Sequence, residues 1–146
     1  MDFDPITGNL WSSEAGFVFD ELNLVKSGFN GGWAMIDGIA SMCKPGTCSY
    51  LRGNNVSSSY LDRLEDFGGK GKYIDPQFVW AGNPTPTAVK FLNSDKLGKQ
   101  YENDLFVEDF NYGNLYHFKL NEDRTRRKIK KSNKQGKLLF YFPIPF

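Results

Sequence analysis

The sequence predicts an all-β fold in one domain, on three observations. Short apolar segments of four to seven residues alternate with polar positions as the two faces of a strand do. Glycine and proline together make up about one residue in seven of the 146, and they fall between those segments, where turns need them. The long 3.6-periodic stripes that crossover helices require do not occur.

The elements follow in order. DPITGN (4–9) is a turn built on Pro5 and Gly8-Asn9. NLWSS (9–13) and ELNLV (21–25) alternate apolar and polar residues as strands. KSGFNGGW (26–33) is a glycine-rich turn that ends on an aromatic. Residues 38–75 are the least regular part, and DFGGKGKY (66–73) reads as loop. Strands resume with QFVWA (77–81), TAVKFL (87–92), DLFVEDF (104–110) and NLYHFKL (114–120). FNYGN (110–114) closes a tight hairpin between the last two. SDKLGKQYEN (94–103) has room for one helical turn, which Gly98 keeps short.

Charge divides the chain. Residues 1–123 hold 10 Lys/Arg against 17 Asp/Glu, and residues 124–146 hold 8 Lys/Arg and no acid. No apolar run reaches the ~18–20 residues of a membrane span, so no membrane-spanning helix is expected. The start, MDFDPITGNLW, shows neither the basic nor the apolar region of a signal peptide. The tail, RRKIKKSNKQGKLLFYFPIPF (126–146), is basic and then apolar. A basic run followed by aromatics can suit nucleic acid or an anionic membrane. The abrupt shift in composition after Thr125 argues instead that 126–146 lies outside the fold of 1–125, and no nucleic-acid partner is expected.

The candidate site lies at Asp20-Glu21-Leu22-Asn23, where adjacent carboxylates open a strand. Buried carboxylates are costly unless paired, and a hard cation is one partner that would pair them. The plainer alternative is a solvated turn closed by the Asn side chain. His117 is the single histidine of the chain. Strand alternation places it on one face with Leu115 and Lys119, which marks a strand side chain rather than a base. Cys43 and Cys48, flanking a Pro-Gly turn, can close a small disulfide or remain two thiols, and one such pair is too little for zinc. Trp11, Trp33 and Trp80 read as core. EDFGGKGKY (65–73) is no phosphate cradle, because no strand leads into it and no Lys-Ser/Thr follows.

Two stretches carry a resemblance. DFDPITGNLWSSEAGF with DELNLVKSGFNGGW, and VKFLNSDKLGKQYENDLFVEDFNYGNLYHFKLNEDRT, resemble the soluble glucose/sorbosone dehydrogenases across roughly residues 2–125. These are six-bladed β-propellers that use pyrroloquinoline quinone (PQQ) and calcium to oxidise a sugar. The resemblance implies that the backbone carbonyls of Gly16 and Phe17 hold a calcium ion that in turn seats the quinone. It also implies that Glu21 and the carbonyl of Gly31 serve a second, structural calcium. The chain departs from the family at Phe17, which replaces a proline, at one residue deleted before Asp20, and at Gly31, which replaces an aromatic.

The family's reaction moves a hydride from the sugar's C1 carbon to the quinone while a His takes the hydroxyl proton. That His and an Arg-Asn pair on the quinone match nothing in this chain, and a quinone-contacting Lys of some relatives maps near Asn111. No catalytic residue is therefore assigned. A four-stranded blade takes ~40–45 residues, so the chain has room for at most about three. The expectation is a partial β-propeller of two to three four-stranded antiparallel blades over 1–125, followed by the tail 126–146. As a piece of a sugar dehydrogenase it would be inactive without the blades it lacks. The alternative is a non-catalytic, calcium- or ligand-binding scaffold. The resemblance implies a periplasmic or extracellular location.

Overall fold

The computed structural model describes residues 1–33, 35–40, 64 and 66–128. Nine strands occur among them: β1 (Asp2–Phe3), β2 (Leu10–Glu14), β3 (Phe19–Val25), β4 (Phe29–Asn30), β5 (Lys72–Tyr73), β6 (Phe78–Ala81), β7 (Pro86–Phe91), β8 (Leu105–Asp109) and β9 (Leu115–Phe118). A 3-10 turn, Lys99–Tyr101, follows Gly98, whose φ of 106° suits glycine. The all-β expectation holds, and among the described residues no helix is long and apolar enough to cross a membrane.

Two antiparallel sheets form the body, as a partial propeller requires. The first has four strands in the order β1-β2-β3-β6, with Trp11 opposite Leu24, Glu14 opposite Glu21 and Asp20 opposite Trp80. The second has the order β7-β8-β9, with Val89 opposite Val107 and Phe106 opposite His117. It shows three strands among the described residues, where four were expected.

Period-two alternation assigns the faces. Trp11, Leu22, Leu24 and Trp80 of the first sheet meet Val89, Phe91, Leu105, Val107, Phe118 and Leu120 of the second in one buried cluster. Each such side chain contributes about 1.5–3 kcal/mol on burial. Phe78 closes the margin edge-on to Trp80, ring centroids 4.8 Å apart. The residues between them, Glu21 and Asn23, therefore turn to the opposite face of β3, while Asp20, paired with Trp80, stays on the Leu22 face at the end of the strand.

Three local features differ from the sequence reading. Lys72–Tyr73, expected as loop, pairs in parallel with Phe29–Asn30. Trp33, expected in the core, is 53% exposed. Residues 126–128, expected as solvated tail, fold back on the body. Lys128 N donates to Lys119 O at 2.6 Å, Asn121 N donates to Arg126 O at 2.9 Å, and the Arg127 guanidinium stands 4.9 Å from the centre of the Phe78 ring. Cys43, Cys48 and residues 129–146 lie outside the described residues.

Candidate functional site

The site is built on the turn joining β2 to β3, residues 15–18, and on four acidic side chains around it, Glu14, Asp20, Glu21 and Asp37. Asp20 is fully buried: its Oδ1 accepts the Gly16 amide at 2.8 Å, and its Oδ2 accepts the Thr85 amide at 2.6 Å. Asp37, 2% exposed, comes from the loop after the Gly31-Gly32 turn. Its Oδ2 accepts the Phe17 amide at 2.8 Å and the Val18 amide at 2.7 Å, and its Oδ1 accepts the Phe19 amide at 3.4 Å. A Cβ on Gly16 would stand 1.8 Å from the Phe19 carbonyl oxygen and 2.2 Å from Asp37 Oδ1. Only glycine leaves room for this arrangement.

Asn83 reaches the same turn. With its amide nitrogen facing the acceptors, it donates to the Gly16 carbonyl at 3.0 Å and to Asp20 Oδ1 at 3.2 Å. Asn111 stands behind it, donating from Nδ2 to the Asn83 carbonyl at 2.7 Å and to Thr85 Oγ1 at 2.9 Å. The fold thus brings Gly16 and Asn111, nearly a hundred residues apart, to one end of the two sheets.

Glu21 occupies the neighbouring position on the far face of β3 and is 3% exposed. Its Oε2 accepts Asn23 Nδ2 at 3.0 Å and its Oε1 accepts the Gly38 amide at 2.7 Å. Burial pushes its carboxyl up to about 7; those two hydrogen bonds oppose the rise, and the charges of Glu14 and Asp37 add to it. Glu14, directly across the ladder, is also raised, by burial and then by Asp37. Glu14 Oε2 lies 3.5 Å from where a Cβ on Gly31 would stand, so Gly31 borders the same acidic pocket. Asn23 Oδ1 is buried there without a hydrogen-bond partner. Among the described residues, no Lys or Arg forms an ion pair with Glu14, Asp20, Glu21 or Asp37.

This donor set fits a hard cation: hard oxygens, surplus negative charge and an orphaned amide oxygen. No three His, Cys, Asp or Glu side chains among the described residues form a metal-holding group by themselves. A cation here would therefore draw on backbone carbonyls and on Asn23 as well as on the carboxylates.

His117 sits elsewhere, on the face of the second sheet turned away from the core. Its Nε2 is 2.7 Å from Asp104 Oδ2, and its ring stacks on Phe106 at 4.9 Å. Lys119 Nζ approaches the same Asp104 oxygen at 3.5 Å. Strand alternation predicts this placement on one face of the strand. The sequence reading did not find Asp37, Asn83 or Thr85. Asp37-Gly38 and Asn83-Pro84 read as ordinary turn signals, and only the fold shows what they touch.

The glucose/sorbosone dehydrogenase family model matches residues 1–138. The chain belongs to this family. The match runs past residue 125, where the motif resemblance stops, and takes in residues 126–128 that pair with the body. The chain is also similar to the crystal structure of a glucose dehydrogenase, with a TM-score of 0.57 and 21% identity. That alignment covers 84% of this chain and 31% of the other, so the chain spans about a third of the length of that dehydrogenase. At this identity the likeness speaks for the fold. No curated protein matches the chain. Gly16, Phe17 and Gly31 border the acids Glu14, Asp20, Glu21 and Asp37.

Proposed function

We propose that this chain contributes two blades and the cation-holding turn to a PQQ- and calcium-dependent sugar dehydrogenase propeller. The reaction of the whole assembly is oxidation of an aldose at C1, with the hydride passing to the quinone. The observation that carries this reading is the 15–18 turn. Buried Asp20 and Asp37 hold its amides, and the chain belongs to the family whose quinone calcium sits on the matching carbonyls. The Gly16 and Phe17 carbonyls would hold the calcium that seats the quinone, and Glu21 with the Gly31 carbonyl would hold the second calcium. The bound quinone supplies the hydride acceptor. The chain's own work is to orient those carbonyls, to place Asn111 beside them through Asn83, and to keep the acids of the second position out of water. The other blades, and the base that takes the sugar's proton, come from outside these 146 residues. By itself the chain is inactive.

A second reading is a calcium-binding scaffold without catalysis, which the buried Asp20, Glu21 and Asp37 would serve without any quinone. The two readings part on complementation. Quinone-dependent sugar oxidation that appears when the remaining blades of a relative are added supports the enzyme, and its absence supports the scaffold. With part of the cage outside the chain, calcium affinity should fall in the weak range of extracellular modules, Kd ~10⁻⁴–10⁻³ M. That range suits a periplasmic or extracellular setting.

Calorimetry tests the calcium reading. Calcium titrated into the chain is expected to give saturable heat, and Glu21→Ala is expected to remove the part belonging to the second position. No heat in the unaltered chain, or identical heat in Glu21→Ala, would refute these assignments.

A further inference from the structure

We infer that Asp37 is a positioning residue that aims the Gly16 and Phe17 carbonyls at the cation; the inference rests on the calcium reading above. In a trans peptide unit the N–H and the C=O point in opposite directions. The N–H of Phe17 belongs to the same peptide unit as the Gly16 carbonyl, and the N–H of Val18 to the same unit as the Phe17 carbonyl. Both N–H groups go to one atom, Asp37 Oδ2, at 2.8 and 2.7 Å. Asp37 therefore stands behind the two peptide units and turns their carbonyl oxygens away from itself, the Gly16 oxygen keeping its second lone pair for a cation beside the Asn83 amide. Asp20 grips the preceding unit through the Gly16 amide, and Asp37 Oδ1 takes the following one through Phe19. Four successive amides are fixed from within the body.

One departure from the family pattern, Phe17 in place of proline, falls into place on this geometry. A proline has no N–H, so with proline at position 17 the Gly16 carbonyl could not be held from behind in this way. Phe17 restores the N–H, and Asp37, itself 2% exposed, accepts it. Gly16 leaves the space through which the Asp37 carboxylate arrives. A negative acceptor on an amide also polarises the peptide unit and makes its carbonyl oxygen a better ligand for a cation. Asp37 comes 20 residues after Phe17, from a separate loop, so the turn and the loop are set together.

The test uses the full chain in a Glu21→Gln background, where the remaining calcium heat belongs to the Gly16–Phe17 position. Asp37→Ala is expected to weaken that binding by about 10–100-fold, as outer-shell substitutions do. Asp37→Asn, which keeps one oxygen acceptor, is expected to fall between Asp37→Ala and the background. The Phe17 and Val18 amide protons, shifted downfield by the carboxylate in the background, should move upfield in both variants while the rest of the amide spectrum holds. If Asp37→Ala does not fold, Asp37→Asn carries the test with the same two readouts. Calcium affinity unchanged by either substitution, or amide shifts at Phe17 and Val18 that stay put, overturns the role of Asp37. Absence of any calcium heat in the background sinks the calcium reading itself and this role with it.

Discussion

Purified chain supplied with calcium and pyrroloquinoline quinone is expected to reduce no dye from glucose above the rate of the quinone alone. A positioned acid-base group is worth ~10²–10⁴-fold in such a reaction, and it must reach the proton it takes. His117 is the only imidazole of the chain. It lies on the second sheet opposite Phe106, with Nε2 2.7 Å from Asp104 Oδ2 and its ring stacked at 4.9 Å on Phe106 and edge-on to Tyr101 at 5.2 Å. Strand alternation turns it away from the core face that carries Leu105 and Phe118, while the Gly16 turn belongs to the first sheet. To act on a sugar held near Gly16, it would have to abandon both its ion-pair partner and its stack. Dye reduction clearly above the blank, and lost in His117→Gln, would overturn both this placement and the inactivity of the isolated chain.

The strands and the family were legible because both are local signals. Alternation in NLWSS, ELNLV and DLFVEDF marks a half-buried ladder whatever its neighbours are. The residues that complete the site were not legible, because their meaning is long-range. Asp37 acts on amides 18–20 residues away and Asp20 on an amide 65 residues away. Written in the chain, Asp37-Gly38 is indistinguishable from a solvated turn. Lys72–Tyr73 failed for the same reason: a parallel pair needs a partner more than forty residues back, and nothing in DFGGKGKY announces Phe29–Asn30. Glu21 was legible as an acid at a strand start, but its burial among Glu14, Asn23 and Gly38 was not. Arg124 fell inside the stretch that carries the family resemblance, but its burial against Asp4 was not legible.

Arg124→Ala is expected to destabilise the chain by about 3–5 kcal/mol, the cost of breaking a buried ion pair from one side. The side chain of Asp4 is 0% exposed and that of Arg124 is 12% exposed, and Arg124 Nε donates to Asp4 Oδ2 at 2.6 Å. The same guanidinium donates to the Asn103 carbonyl at 2.6 Å and stands 5.7 Å from the centre of the Phe91 ring. It thereby ties the first turn of the chain to the end of the second sheet. Burial would raise the carboxyl of Asp4, but the hydrogen bonds from Arg124, the Ile6 amide and the Thr7 hydroxyl outweigh it and hold the group below the ordinary Asp value. Removing Arg124 leaves that charge buried with two local donors. Domains of this kind have ~5–15 kcal/mol in total, so Tm should fall by on the order of 10 °C. A carboxylate whose folded pKa is lowered adds stability above its unfolded pKa and loses it as pH falls through the folded one. The Tm gap between the two proteins is therefore expected to persist at pH 5 and above and to close as pH drops below about 4. Lys90→Ala provides the contrast: Lys90 meets Asp2 at 3.0 Å with a side chain 75% exposed, and its loss should cost no more than ~1 kcal/mol. An Arg124→Ala protein that melts within two or three degrees of the unaltered chain, or a gap that stays constant down to pH 3, would show that Asp4 and Arg124 do not hold the two sheets together.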